Sequence, residues 1–259
     1  MTKLYQNKEW LKKKYWDEKL STGQIGEICK MSDTAIWHWL KKYNIPTRSR
    51  GNGVSLVDAN HCDLSPKAIS WINGELLGDG GIYNRSKYSA RIQYNSKFLE
   101  YVQYVSDTLN SFGIKQAGKI RGSYDGKGSY RYSYVSLHYV ELLSFRKKWY
   151  PEDKKIIPKG LVLNPLTIRQ WFIGDGSLAH RKEGRPYITL ATCGFTIPDV
   201  LFLVKKLIDL GFKATRRKSN NVIYITTKST KNFLDYIGKC PVKCYEYKFN
   251  YKKEVMANV

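Results

Sequence analysis

The sequence predicts an α+β protein in which a duplicated, pseudo-symmetric αββαββα domain with antiparallel sheets follows a small all-α module. Three observations carry this prediction. Two apolar runs of helical length, Trp71–Gly80 and Ile168–Gly176, each end in Gly-Asp-Gly, and Asp79 and Asp175 lie 96 residues apart. The segment after each run repeats one order of strand-like and helical patterns. The first fifty residues carry only helical periodicity and capping signals.

Composition bounds the class of protein. The chain has 259 residues, 42% of them hydrophobic, enough for a packed core. Its 44 Lys and Arg against 22 Asp and Glu give a formal charge of +22. Such an imbalance points to a polyanionic partner, because neutralised phosphates release counterions. A membrane surface is the rival, but there is no 18-residue apolar run and no lipidation signal, and Met1-Thr2-Lys3-Leu4-Tyr5 lacks the apolar core of a signal peptide. A soluble, intracellular protein is expected, with no membrane partner. The five cysteines form no disulfide framework, and the Cys240/Cys244 pair has no second Cys/His pair to make a zinc site.

In order along the chain, residues 1–47 read as helices on short loops. Asn7 caps a helix carrying Trp10, Leu11, Tyr15 and Trp16; Ser21 or Thr22 caps a shorter one with Ile25, Ile28 and Cys29; Ser32 caps a third from Asp33 to about Tyr43. Ile25, Cys29, Met31, Ile36 and Trp39 fall at the buried positions of a helix-turn-helix, and Gly26 at its helix crossing. Lys30 stands where that motif usually has glycine. In such a module the third helix enters the major groove, which would set Asp33, Thr34, Ala35 and His38 against bases and Lys41 and Lys42 against phosphates. Residues 48–64 read as a basic, glycine-bearing linker.

The first repeat covers residues 65–150, a connector 151–164, and the second repeat 165–259. After the first Gly-Asp-Gly come a strand-like stretch from Ile82 to Asn95 and an amphipathic helix, Phe98 to Phe112, ending at Gly113, 34 residues past Asp79. The second half has Ser177 to Thr192, then Ile197 to Leu210, ending at Gly211, 36 residues past Asp175. Strand pairs follow, Lys115–Tyr124 with Tyr130–His138, and Lys213–Lys218 with Val222–Thr226; helices Val140–Trp149 and about Thr230–Ile237 close the halves. Within the strands Arg91, Gln93 and Asn95 alternate with Ala90, Ile92 and Tyr94, Arg185, Tyr187 and Thr189 with Pro186, Ile188 and Leu190, and Lys119, Arg121 and Ser123, less cleanly, with Ile120, Gly122 and Tyr124. One face is therefore expected to pack on helices while the other, basic and almost free of carboxylates, meets nucleic acid. The alternation in Tyr130–His138 leaves open which face takes Arg131 and Ser133 and which takes the tyrosines.

The two Gly-Asp-Gly runs resemble the motif of the LAGLIDADG homing endonucleases. Asp79-Gly80 and Asp175-Gly176 match its terminal Asp-Gly, and Ile72, Leu76, Gly78 and Ile168, Phe172, Gly174 its apolar and small positions. Trp171-Phe172-Ile173-Gly174-Asp175-Gly176 and the connector Lys154-Lys155-Ile156-Ile157-Pro158-Lys159-Gly160-Leu161 resemble the single-chain members; the likeness runs from about Ser65 to Lys253.

The resemblance implies a site-specific, metal-dependent DNA endonuclease that makes a double-strand break in a long asymmetric duplex. It implies two helices packed along small residues, with Asp79 and Asp175 meeting at the base of a DNA-binding saddle. Gln170 in place of the first glycine, Gly74, predicts a wider or more polar seam on that side. Two carboxylates at helix C-termini repel each other and the local dipoles, a cost that cations relieve. Mg²⁺, or another divalent cation such as Mn²⁺, is the expected cofactor, with Asp79, Asp175, Gly78 and Gly174 as metal-site residues. Lys155 and Lys248 match the family's basic residue in each half and complete the catalytic candidates with the two aspartates.

The DNA-binding candidates are Tyr83, Arg85, Lys87, Arg91, Gln93, Lys119, Arg121 and Arg131 in half one. In half two they are Arg181, Arg185, Tyr187, Thr189, Lys213, Thr215 and Arg217, and in the N-terminal module Thr34, His38 and Lys41. Gln93 and Thr189 could also order water beside the metals. Double-stranded DNA is the expected partner of a monomer. Two rivals stay open: an intron-RNA maturase on the same fold, and a non-catalytic helix-turn-helix transcription regulator.

Overall fold

The computed structural model describes residues 4–18, 20–47, 60–62, 64–84, 87–126, 128–180 and 185–251. The chain divides into two compact units, residues 1–55 and 56–259.

In the first unit Asn7 Oδ1 accepts from Trp10 N at 3.0 Å and starts α1, Lys8–Lys12, which runs into a π-helical turn, Lys13–Asp17. Ser21 starts α2, Thr22–Cys29, in a reciprocal capping box with Gln24. Ser32 Oγ accepts from Ala35 N and starts α3, Asp33–Lys42. Lys30 takes the left-handed conformation, φ 55°, that ends α2, at a cost of about 1 kcal/mol that glycine would avoid. The turn is tight: a Cβ on Gly26 would lie 2.5 Å from the Met31 carbonyl oxygen. Ile25, Ile36 and Leu40 are fully buried with Leu11, and Tyr5, Tyr15 and Ile45 complete this small core. Cys29, Met31 and Trp39 pack on it from its rim.

In the second unit α4 (Pro66–Leu77), β1 (Gly81–Tyr83), β2 (Arg91–Ser96), α5 (Leu99–Ser111), β3 (Arg121–Tyr124), β4 (Tyr130–Val135) and α6 (Val140–Trp149) form the first half. The second repeats the order: α7 (Pro165–Asp175), β5 (Gly176–His180), β6 (Pro186–Leu190), α8 (Ile197–Asp209), β7 (Ala214–Arg217), β8 (Val222–Ile225) and α9 (Thr227–Ile237). The sheets are antiparallel, in matching orders β1-β2-β4-β3 and β5-β6-β8-β7. Gly113 and Gly211, at φ 78° and 89°, end α5 and α8 as expected of C-terminal glycines. Before α4 the chain is tied to α6: Asn60 Nδ2 donates to the His138 carbonyl, and Cys62 N and His61 Nδ1 bond the Glu141 carboxylate.

One core runs through both halves, from Trp71 and Ile72 of α4 to Ile168, Trp171 and Phe172 of α7, with Ile92, Tyr94, Ile188, Leu190, Ile223 and Ile225 from the sheets. Register settles the faces that alternation left open. Asn95 stands opposite Ser133, and Arg121 opposite Ser133 on the other side; directly paired residues share a face. Arg131 and Ser133 therefore lie with Arg91, Gln93 and Asn95, while Tyr134 is buried beneath.

Two expectations need correction. Lys119 and Ile120 precede β3, and every residue of that strand is exposed, so this edge strand packs no face on a helix. The last helix begins at Thr227, three residues before the expected start, because side chains beyond its own turn hold it: Ser229 Oγ accepts from Lys213 N at 2.8 Å, and Thr230 is fully buried. Among the described residues no helix is long and apolar enough to cross a membrane.

Candidate active site at the paired helix ends

The site starts with two helices built alike. Ser65 and Asn164 cap α4 and α7, accepting from Ala68 N and Thr167 N, and a proline follows each cap. Across the seam Thr167 Oγ1 donates to the Ser70 carbonyl at 3.0 Å and Asn164 Nδ2 to Ser70 Oγ at 2.7 Å, which fixes the register at the N-terminal ends. Toward the C-terminal ends the backbones touch. A Cβ on Gly78 would lie 3.4 Å from Gly174 Cα, and one on Gly174 would lie 3.2 Å from Asp79 N and 3.7 Å from Asp79 Oδ2. The seam thus delivers Asp79 and Asp175 side by side.

The seam is polar rather than wide. A Cβ on Gly74 would meet the Thr167 carbonyl at 2.5 Å and Gln170 Cβ at 2.7 Å, so Gln170 fills the space that glycine leaves. Its Nε2 donates to Glu75 Oε1 at 2.9 Å, and the Tyr101 hydroxyl donates to the same oxygen at 2.6 Å. Burial pushes the Glu75 carboxyl up to about 8; the Tyr101 and Gln170 hydrogen bonds oppose this rise and the charge of Asp79 adds to it. Sequence reasoning missed this group. Its signal was a single glutamate inside an otherwise apolar run.

At the helix ends Asp79 is exposed and Asp175 half-buried. Burial, and then the neighbouring Asp79 charge, raises the Asp175 carboxyl to about 6, against the pull of Lys155 and Lys248. Each lysine braces one helix end. Lys155 Nζ donates to the Gly78 and Gly80 carbonyls at 3.2 and 3.4 Å, and Lys248 Nζ to those of Ile173 and Gly174 at 2.6 and 3.1 Å. Burial lowers the proton affinity of both ammonium groups, while Asp79 and Asp175 sustain it. The chain therefore brings together all six of its predicted catalytic and metal-site residues, and it gives the Gly78 and Gly174 carbonyls a lysine partner as well.

The donor set suits a hard divalent cation. The Asp79 charge keeps the Asp175 carboxyl raised against the pull of both lysines, a repulsion that a hard cation would relieve, and among the described residues no group of three or more His, Cys, Asp or Glu surrounds a metal position, so these two carboxylates would be its side-chain ligands. Two carboxylates alone would leave most of such a cation's positions to water and phosphate oxygens.

The two open sheet faces flank this point. Gln93 stands opposite Gly81, and Thr189 opposite Ser177, each pair two residues past an aspartate. Next outward are Tyr83 with Arg91, and Ala179 with Tyr187. Arg121 and Arg131 lie farther along the first face, with Lys119 exposed before β3; Arg131 Nε is engaged by Asp125 at 2.9 Å. On the second face Arg217, at the end of the edge strand β7 in which Thr215 pairs Tyr224, lies over the rings of Tyr224 and Tyr187, at 4.6 and 5.4 Å. Arg185 and Lys213 are exposed at strand ends, and Lys87 lies over Tyr88 in the turn after β1. Arg85 and Arg181 lie outside the described residues. Tyr224 was missed, although Val222 and Tyr224 alternate with Ile223 and Ile225 as a half-buried strand should. Thr34, His38 and Lys41 belong to the first unit, exposed on α3 with Trp37, whose ring lies 5.6 Å from Lys41 Nζ.

Two pseudo-symmetric halves joined in one chain, meeting at two carboxylate-bearing helix ends, define a class of two-motif enzyme. Its fold is also that of the homing endonuclease I-WcaI bound to its DNA recognition sequence, with a TM-score of 0.63, 19% identity, and coverage of 73% of this chain and 88% of that one. The model of the LAGLIDADG DNA endonuclease family matches residues 69–233, and the chain belongs to that family. A protein of Methanocaldococcus jannaschii described only as uncharacterized is 30% identical over 190 residues, covering 70% of this chain and 73% of its own.

Proposed function

We propose that this DNA endonuclease cuts both strands of a long asymmetric duplex as a monomer, with Asp79 and Asp175 holding divalent cations, Mg²⁺ or Mn²⁺, at the two scissile phosphates. The observation that carries the reading is the pair of contacting helix ends, each with one aspartate and one half-buried lysine. A bound cation would lower the pKa of an attacking water and neutralise charge on the phosphate. The chain's own groups do the rest. The seam glycines fix the separation of the carboxylates, and the open sheet faces align the duplex across them. Lys155 and Lys248 each spend two N–H groups on backbone carbonyls, which leaves one N–H on Nζ to donate to a phosphate oxygen or to water. Asp175 must be deprotonated to ligate, so the loss of its proton as pH rises through about 6 sets the acid limit of the site. Arg and Gln side chains of the faces read base edges, exposed lysines contact phosphates, and Thr34, His38 and Lys41 of the first unit add contacts beyond the central site.

The test is cleavage of a selected duplex by Asp79→Asn and Asp175→Asn. Loss of the double-strand break with binding retained is expected in both; a break by either variant at the wild-type rate overturns the two-carboxylate site.

A further inference from the structure

The two halves share a fold but not a reading surface, and register locates the difference. At the rank nearest the helix ends the faces offer Gln93 and Thr189. At the next rank, two residues or roughly 7 Å farther out, the first face offers Arg91 beside Tyr83 and the second offers Tyr187 beside Ala179. Arg91 is half-buried among its neighbours and its Nε has no hydrogen-bond partner, so the guanidinium is set into the sheet with donor capacity unspent. Tyr187 is also half-buried, held by its ring contact with Tyr224 at 5.2 Å, and the Arg217 guanidinium of β7 is stacked over both rings, 5.4 Å from that of Tyr187 and 4.6 Å from that of Tyr224. At the far edges, among the described residues, the two faces match instead: Arg121 pairs Ser133 at one and Arg217 pairs Val222 at the other.

We infer that Arg91 and Tyr187 set the asymmetry of the DNA target, Arg91 selecting a G·C pair in one half-site and Tyr187 with Ala179 an A·T pair at the equivalent position of the other. An arginine fork matches the two acceptors of guanine in the major groove, whereas ring and methyl surfaces match the thymine methyl group and leave a guanine's acceptors unpaired. This inference rests on the proposed mode of DNA binding and adds to it which base pair each half prefers.

The experiment is a binding selection of the full chain on a randomised duplex library, without divalent cation so that cleavage plays no part, at one fixed salt concentration. The wild-type chain is expected to enrich G·C at one position of one half-site and A·T at its pseudo-symmetric counterpart. Arg91→Gln should bind that site ~10- to 100-fold less tightly and shift the preference from G·C toward A·T in that half alone. Tyr187→Arg should acquire G·C in the other half. Arg91→Lys, which keeps the charge and can still donate to guanine O6 and N7 but without the rigid fork, should keep the G·C preference in weakened form; an Arg91→Gln protein that still binds unrelated DNA separates readout from misfolding. G·C enriched at both equivalent positions by the wild-type chain, or an unchanged G·C preference in Arg91→Gln, overturns the assignment alone. Enrichment of no duplex sequence overturns the proposed DNA target together with it.

Discussion

Asp175 pairs two properties that conflict in a metal-free fold: it is half-buried and it sits beside another carboxylate. Its folded pKa of about 6 exceeds its ordinary value of 3.8. The sign follows: the fold favours the protonated form, so this group's contribution to stability is full below pH ~4 and is lost as pH rises through 6. A cation held by this carboxylate, as proposed, would offset that loss above pH 6. Asp175→Asn is therefore expected to raise the metal-free melting temperature at pH 8 by a few degrees, corresponding to ~1–3 kcal/mol, while abolishing cleavage. Wild type should gain several degrees from Mg²⁺ at pH 8 and little at pH 5. Equal Mg²⁺ stabilisation of Asp175→Asn and wild type in thermal melts would show that this carboxylate is not a ligand. Glu75 has the same sign over a wider window, from its ordinary 4.5 to about 8. Glu75→Gln, which keeps an acceptor for Tyr101, should remove part of the wild-type decline in melting temperature between pH 5 and pH 8; a decline of unchanged slope would place the charge elsewhere.

At the scale of elements the α4–α7 seam carries the most stringent prediction. The Gly74 position is closed by the Thr167 backbone and Gln170 Cβ, neither of which is a flexible side-chain end. Gly74→Ala should therefore destabilise the chain by ~1–3 kcal/mol or more, even though alanine favours helix by itself. A melting temperature equal to that of wild type would mean that the helices can separate freely. The sequence carried part of this. Gly-Asp-Gly, the N-caps and the terminal glycines are local signals, so the motif helices, α5 and α8 were legible, and period-two alternation gave the faces of β2 and β6 directly. What it could not carry depends on distant chain. The start of α9 is held by Lys213 N on Ser229, the edge position of β3 comes from sheet order, and the Glu75–Gln170 bond links residues 95 apart. Gln170 could be read as a departure from glycine, but its partner was visible only once Tyr101 and Glu75 had been brought to the same seam. Lys248 was one of several lysines until its bonds to Ile173 and Gly174 distinguished it from Lys243.

Over the whole molecule a formal charge of +22 makes salt the strongest external control on binding. Each lysine or arginine that neutralises a phosphate lowers the slope of log affinity against log salt by roughly one unit. The two units should contribute separately to this slope. Lys41, exposed on α3 of the first unit, is a phosphate contact in the proposed reading, so Lys41→Ala should flatten the slope by about one on a long duplex and weaken all sequences alike. Gln93→Ala, on the first sheet face, should leave the slope unchanged and weaken the selected target relative to unrelated DNA. The decisive comparison is a duplex trimmed to the span that the second unit protects from a footprinting reagent. If both units bind one DNA molecule, Lys41→Ala loses its effect on the trimmed duplex, because the phosphate it would meet is gone, whereas Gln93→Ala keeps its effect. An unchanged Lys41→Ala effect on the short duplex would put α3 over the central site instead, and no Lys41→Ala effect on either length would remove the first unit from DNA binding.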